Sequence, residues 1–204
     1  MGPSFAKPVK PDDDPERTFS IAEQEQLSRN LQELLLHIQR GDYSSHMLDS
    51  ELLISFHRQI FADIRDHAGR CRGPDFGSEH VYFGPRTSEH RNHVPEALSD
   101  VFTEARRSLT SFEQNPNHPD FERAALHLAA WVHARVIQIH PFEDGNGRAS
   151  RALMSAILVR VGLRPIPIEA PKQEYLAALN RYHDAGDISS LVDLCLRLYP
   201  GLLE

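Results

Sequence analysis

The stretch His140-Pro141-Phe142-Glu143-Asp144-Gly145-Asn146-Gly147-Arg148-Ala149-Ser150-Arg151 brings together an imidazole, two carboxylates, a glycine-rich turn and two arginines. Each of these suits one part of phosphate chemistry. His140 ordinarily titrates near neutrality and is a candidate general base for an incoming hydroxyl. Asp144 is a hard carboxylate of the kind that holds Mg²⁺ beside a triphosphate, and its plainer reading is a helix N-cap. Gly145 and Gly147 permit positive φ, so the N–H groups of Gly145, Asn146 and Gly147 can converge on an anion just before a helix N-terminus. Asn146 can add an amide donor there or simply tolerate a left-handed backbone. Arg148 and Arg151, three residues apart, project to one side of that helix and suit bidentate contacts to phosphate oxygens; surface ion pairs are the alternative. Glu143 is expected to face solvent, and Phe142 to anchor the loop in the core. His57, His67, His127 and His133 lack such a context and are assigned no chemistry.

The flanking elements must hold this stretch in place. A long helix from Asp120 to Ile139 leads into it, and another from about Arg148 to Val161 leaves it and stops at Gly162. Upstream, Ser20-Ile21-Ala22-Glu23 has the form of a capping box, and the helix behind it places Leu27, Leu31, Leu34, Leu35 and Ile38 on one face before Gly41 ends it. A second helix spans about Leu48 to Ile64. Residues 69 to 94 interrupt the helical rhythm with Gly69, Gly73, Pro74, Gly77, Gly84 and Pro85 around the β-prone run Val81-Tyr82-Phe83, which predicts a β-hairpin or extended flap. Pro95 fits the first turn of a helix that continues to about Phe112. Pro165 and Pro167 mark an extended linker, Pro171 starts a further helix, and Ser189 or Ser190 caps the last. The fold class is mainly α, with one hairpin.

With 204 residues, 40% hydrophobic and 25% charged, the chain has the composition of one soluble domain with decorated ends. Its net charge of -7 argues against non-specific nucleic-acid binding, so a nucleotide site would be a local basic pocket. Ala152 to Val159, the most apolar run, is far shorter than a membrane span. Cys71 and Cys195 are too few for a disulfide framework, which favours a reducing cytoplasm but leaves a single bridge open. Residues 1 to 17, with Pro11-Asp12-Asp13-Asp14-Pro15, have no signal-peptide core and read as a flexible arm. A cytoplasmic protein is expected, and an exported effector could look the same.

His140 through Arg151 resembles the signature of the Fic (Fido) family, His-x-Phe-x-(Asp or Glu)-Gly-Asn-Gly-Arg-x-x-Arg, at every position. The likeness extends to the flanking helices, the upstream flap and Ala185-Gly186-Asp187. It divides the chain into the arm at 1–17, an N-terminal helical extension at 18–44 and a Fic domain at 45–204, a helical bundle with one β-hairpin flap. The resemblance implies an enzyme that moves AMP from ATP to a Ser, Thr or Tyr hydroxyl of a target protein and releases pyrophosphate. By resemblance His140 is the base, Asp144 holds Mg²⁺, Gly145, Asn146 and Gly147 bind phosphates, Arg151 holds the γ-phosphate and Arg148 supports it. The flap, including Val81, Tyr82, Phe83 and Gly84, would register the target segment by strand addition, and Asp184 is a candidate for the adenine pocket. Alternatives are transfer of phosphate, UMP or phosphocholine on the same scaffold, and a non-catalytic nucleotide-binding regulator. Many family members carry an inhibitory Ser/Thr-x-x-x-Glu-Gly/Asn helix. Here Ser20 is followed by Gln24 and Ser189 by Asp193, so neither completes the pattern. That implies constitutive activity or restraint by a separate antitoxin-like partner. Homodimers are common in the family.

Overall fold

The computed structural model describes residues 19–115, 117–166 and 171–199. The arm at 1–17 and the later part of the linker around Pro167 lie outside the described residues. Seven α-helices and one two-stranded hairpin make up the described chain: α1 (Ile21–Gln39), α2 (Ser50–Ile60), β1 (Tyr82–Phe83), β2 (Arg86–Thr87), α3 (Val94–Gln114), α4 (Phe121–Ile139), α5 (Asn146–Arg160), α6 (Lys172–Ala185) and α7 (Ser189–Leu198). The fold class is the expected one.

Local signals explain most of the boundaries. Ser20 and Glu23 form both halves of the capping box, satisfying N–H groups that the first turn of α1 leaves without helical partners. Asp49 caps α2 by accepting from the Leu52 N–H. Pro95 lies in the first turn of α3, behind a 3-10 turn at Arg91–His93. Three boundaries differ from expectation, the start of α5 among them. α2 stops at Ile60 rather than Ile64, because the chain turns through Asp63 at φ 61. At α7 neither serine is the cap: the Asp187 carboxylate accepts from the Ser189 N–H at 2.9 Å.

α4 is the axis of the bundle. Ala125, Leu126, Leu128, Ala129, Ala130, Val132, Ala134 and Val136 are buried around most of its circumference, and α3, α5, α6 and α7 pack against it. Its alanines let those helices approach closely, as expected of a helix that is apolar all round. α5 lies between α4 on one side and α1 and α2 on the other. Leu27, Leu34 and Ile38 of α1 enter the same hydrophobic core as Leu53, Phe56 and Ile60 of α2 and Leu153, Ile157 and Leu158 of α5. The loop 140–145 therefore runs between two helices embedded in one core. Among the described residues, no helix is long and apolar enough to cross a membrane.

Candidate active site at the α4–α5 loop

His140 closes α4 in the left-handed conformation, at φ 56 and ψ 61. That geometry costs an L residue about 1–2 kcal/mol and needs surrounding contacts to maintain it. They come largely from Arg72, whose guanidinium donates to the carbonyls of His140 at 2.8 Å and Ile139 at 3.1 Å, while its own backbone N–H donates to Pro141 O at 2.7 Å. The His140 ring is 2% exposed. Its Nδ1 lies 3.3 Å from the Ile137 carbonyl, which can only accept. A proton on Nδ1 leaves the lone pair on Nε2, the nitrogen a general base would use.

The hairpin lies over this ring. β1 and β2 pair antiparallel, Tyr82 with Thr87 and Phe83 with Arg86, around a tight turn in which Gly84 supplies φ 59. Strand alternation turns Val81 and Phe83 to one face and Tyr82 to the other. Val81 is buried, Tyr82 is exposed, and the Phe83 ring stacks on His140 with centroids 4.8 Å apart and planes 7° from parallel. Asp184, a candidate for the adenine pocket, is exposed and ion-paired with Arg86 of the hairpin; Arg86 also donates to Asn180 Oδ1 at 2.6 Å. That pair ties the flap to α6.

Beyond His140 the loop is built inward. Phe142 is fully buried, as expected, and stacks on His57 with centroids 3.8 Å apart. Asn146 is also fully buried: its Oδ1 accepts from Phe142 N–H at 2.9 Å and its Nδ2 donates to Phe142 O at 3.0 Å. The Asn146 side chain therefore shapes the loop rather than pointing toward a ligand. The nest expected ahead of the helix is also shifted. Gly145 alone has positive φ, 74, and serves as N-cap, while Asn146 and Gly147 already form the first turn of α5. A Cβ on Gly145 would lie 2.1 Å from the Phe61 ring. Gly145, the N-cap residue, brings no side chain to the start of α5. The leading N–H groups of α5, with the positive end of the helix dipole, can therefore accept an anion.

Asp144 is 4% exposed and is not the cap. Its carboxylate lies 3.5 Å from Arg65 Nε and 4.0 Å from His67 Nε2. Its carbonyl is 3.1 Å from Nε2 of buried His57, whose Nδ1 accepts from Gly69 N–H, so the proton sits on Nε2 and donates to Asp144. Burial pushes the His57 pKa down to about 4, keeping the ring neutral in that role. Glu143 does not face solvent freely. It is half-buried and accepts from both the backbone N–H and the hydroxyl of Ser78, linking the loop to the segment leading into the hairpin.

Arg148 and Arg151 line one cleft of about 290 Å³ between α1 and α5, walled by Leu31, Leu35 and Ile38. Arg151 folds back along the first turn of α5; a Cβ on residue 147 would come within 3.2 Å of its Nη1, so Gly147 makes room for it. Among the described residues, no carboxylate forms an ion pair with Arg151. Arg148 has its guanidinium 5.6 Å from the Phe19 ring, which also receives Arg65 at 4.3 Å.

The sequence model of the Fic/DOC family matches residues 47–158, more than half of the chain. The chain belongs to the Fic/DOC family. The protein adenylyltransferase Fic of Drosophila mojavensis is 29% identical over 143 residues, 69% of this chain and 25% of that relative. This chain therefore corresponds to about a quarter of the relative's length. Among solved structures, the N-terminal Fic domain of an effector from Bartonella sp. AR 15-3 superposes with a TM-score of 0.69 at 15% identity, covering 88% of this chain and 82% of that one. BepC of Bartonella tribocorum, with bound AMPPNP, gives 0.62 at 17% identity, over 87% and 88%. At these identities the superpositions establish the Fic fold.

Arg72, His57 and Arg65 of this Fic site come from outside the motif and carry no assignment from sequence. Glu143 lies within the motif but binds Ser78 instead of facing solvent. His57 did leave a trace, since it shares the apolar face of α2 with Leu53, Ile60 and Phe61, where a titratable side chain needs a buried partner. Arg72 left none, because it sits in an irregular segment without periodicity.

Proposed function

We propose that the protein transfers AMP from ATP to a Ser, Thr or Tyr hydroxyl of a target protein, with release of pyrophosphate. One observation carries the reading. A histidine placed to act as base and the glycine-led N-terminus of α5 are the two ends of one loop, and the flap lies over the base. The curated relative named a protein adenylyltransferase and the Fic neighbour holding AMPPNP support the choice of nucleotide.

The phosphates would lie against the first N–H groups of α5, with Arg151 and Arg148 reaching the far oxygens. The target segment would align along the open edge of the hairpin, so that main-chain bonds set its register. Its hydroxyl oxygen attacks the α-phosphorus, the hydroxyl proton passes to His140 Nε2, and the bond from the α-phosphorus to the β-bridging oxygen breaks. The Phe83 side chain must rotate off the imidazole face for the hydroxyl to reach it. Asp144 is the residue that would hold Mg²⁺. It offers a buried hard oxygen beside Gly145, and no cluster of three or more His, Cys, Asp or Glu groups occurs among the described residues. Mg²⁺ supplies charge neutralisation on the transferring phosphates.

ATP labelled at the α- or the γ-phosphate, incubated with Mg²⁺, lysate and the protein, tests the proposal. Label is expected on protein from the α position only, and His140→Ala should reduce it by about 10²–10⁴-fold while ATP binding persists. Transfer from the γ position would make it a kinase and overturn the reading.

A further inference from the structure

Arg72 has no place in the motif, yet it is one of the largest fully buried side chains in the protein. A guanidinium has five N–H donors in a fixed plane, and Arg72 directs them at five main-chain carbonyls. Nε donates to His140 O at 2.8 Å; Nη2 donates to Ile139 O at 3.1 Å and Glu89 O at 2.9 Å; Nη1 reaches Ser78 O at 3.1 Å and Glu79 O at 3.3 Å. These acceptors fall in three segments: the end of α4 that carries His140, the segment leading into the hairpin, and the segment leaving it. Hydrogen bonds between the two flanks of the hairpin, from Ser88 N–H to Val81 O and from Arg91 N–H to Glu79 O, complete the frame. A Cβ on Gly77 would lie 2.8 Å from Arg72 Cγ, so the hairpin stem is packed directly on this side chain.

We infer that Arg72 is a positioning residue for transfer: it holds His140 in its left-handed conformation and fixes the flap to the same frame, so that base and target strand keep one geometry. The inference rests on the AMP-transfer reading. Lysine cannot replace it, because three donors on one nitrogen cannot span carbonyls that lie on three segments. A displacement of about 1 Å at a base costs on the order of 100-fold in rate.

Arg72→Lys and Arg72→Ala should each lower kcat for α-phosphate transfer about 100-fold with the KM for ATP unchanged, since neither touches the phosphate end of α5. Free guanidinium should restore part of the activity of Arg72→Ala. A lysine variant that melts earlier but keeps kcat within about threefold of wild type would reduce Arg72 to a structural role, and a loss confined to the KM for ATP would also overturn the inference. Native-state hydrogen exchange of the wild type covers the case in which neither variant folds. The amides of Arg72, Ser88 and Arg91 should open together with one free energy, and independent, faster opening of the flap amides would contradict the proposal. That exchange result stands whether or not the wild type transfers AMP, so failure of the functional reading and failure of this inference are distinguishable.

Discussion

At the scale of single residues, the site depends on side chains that bind the protein's own backbone. Asn146 shows this most directly. Sequence offered it as a phosphate donor, but both of its polar atoms go to Phe142, fixing the bend that separates base from helix. Asn146→Ala would leave the buried Phe142 N–H and C=O without these partners, and should cost roughly 2 kcal/mol in urea denaturation. The same change should disturb the loop and lower transfer without removing a ligand contact. A variant with unchanged stability would show that water replaces the amide without loss. His57 acts similarly through the Asp144 carbonyl, and Glu143 through Ser78. The residues that look chemical in the motif are thus of two kinds: some face the cleft, and others hold those in place.

At the scale of elements, the loop succeeds because helices enter and leave it at fixed angles. Gly145 is where α5 approaches α2 too closely for any side chain, with Phe61 filling the space a Cβ would need. Gly145→Ala combines positive φ with overpacking and should destabilise the fold by roughly 2–5 kcal/mol. ATP affinity should fall with it, as α5 is pushed away from its anion-binding position. Thermal melting with and without ATP checks both effects, and an unchanged melting temperature would contradict the packing account. The helices, the hairpin and the motif were legible in sequence because each is local: periodicity marks α1 to α7, Gly84-Pro85 marks the turn, and the motif is contiguous. The start of α5 lies two residues earlier than expected, because Asn146 and Gly147 read as loop but already form its first turn. Arg72, Arg65 and the stacking of Phe83 on His140 were not legible. They depend on segments far apart in the chain meeting in three dimensions, and composition carries no trace of that.

At the scale of the whole molecule, His57 and His133 are buried and contribute stability that acid removes. Burial pushes His57 down to about 4 and His133 to about 3, the latter aided by the nearby charge of Arg151. The unfolded chain protonates these rings near 6.5 while the folded protein resists. Stability from this source is therefore complete above pH 6.5 and is lost as pH falls toward 4 and then 3. Urea midpoints should decline across that window, and His57→Gln should make the decline shallower; an identical slope would contradict the assignment. The bundle also decides what the cleft can be. α1 forms the wall opposite Arg148 and Arg151. The most direct measurement of the central claim is peptide mass spectrometry on lysate proteins after incubation with Mg²⁺, isotopically labelled ATP and either wild type or His140→Ala. Labelled AMP is expected on Ser, Thr or Tyr hydroxyls with the wild type and at a level about 10²–10⁴-fold lower with the variant. Labelled phosphate in place of AMP, or equal AMP labelling by both proteins, would contradict it.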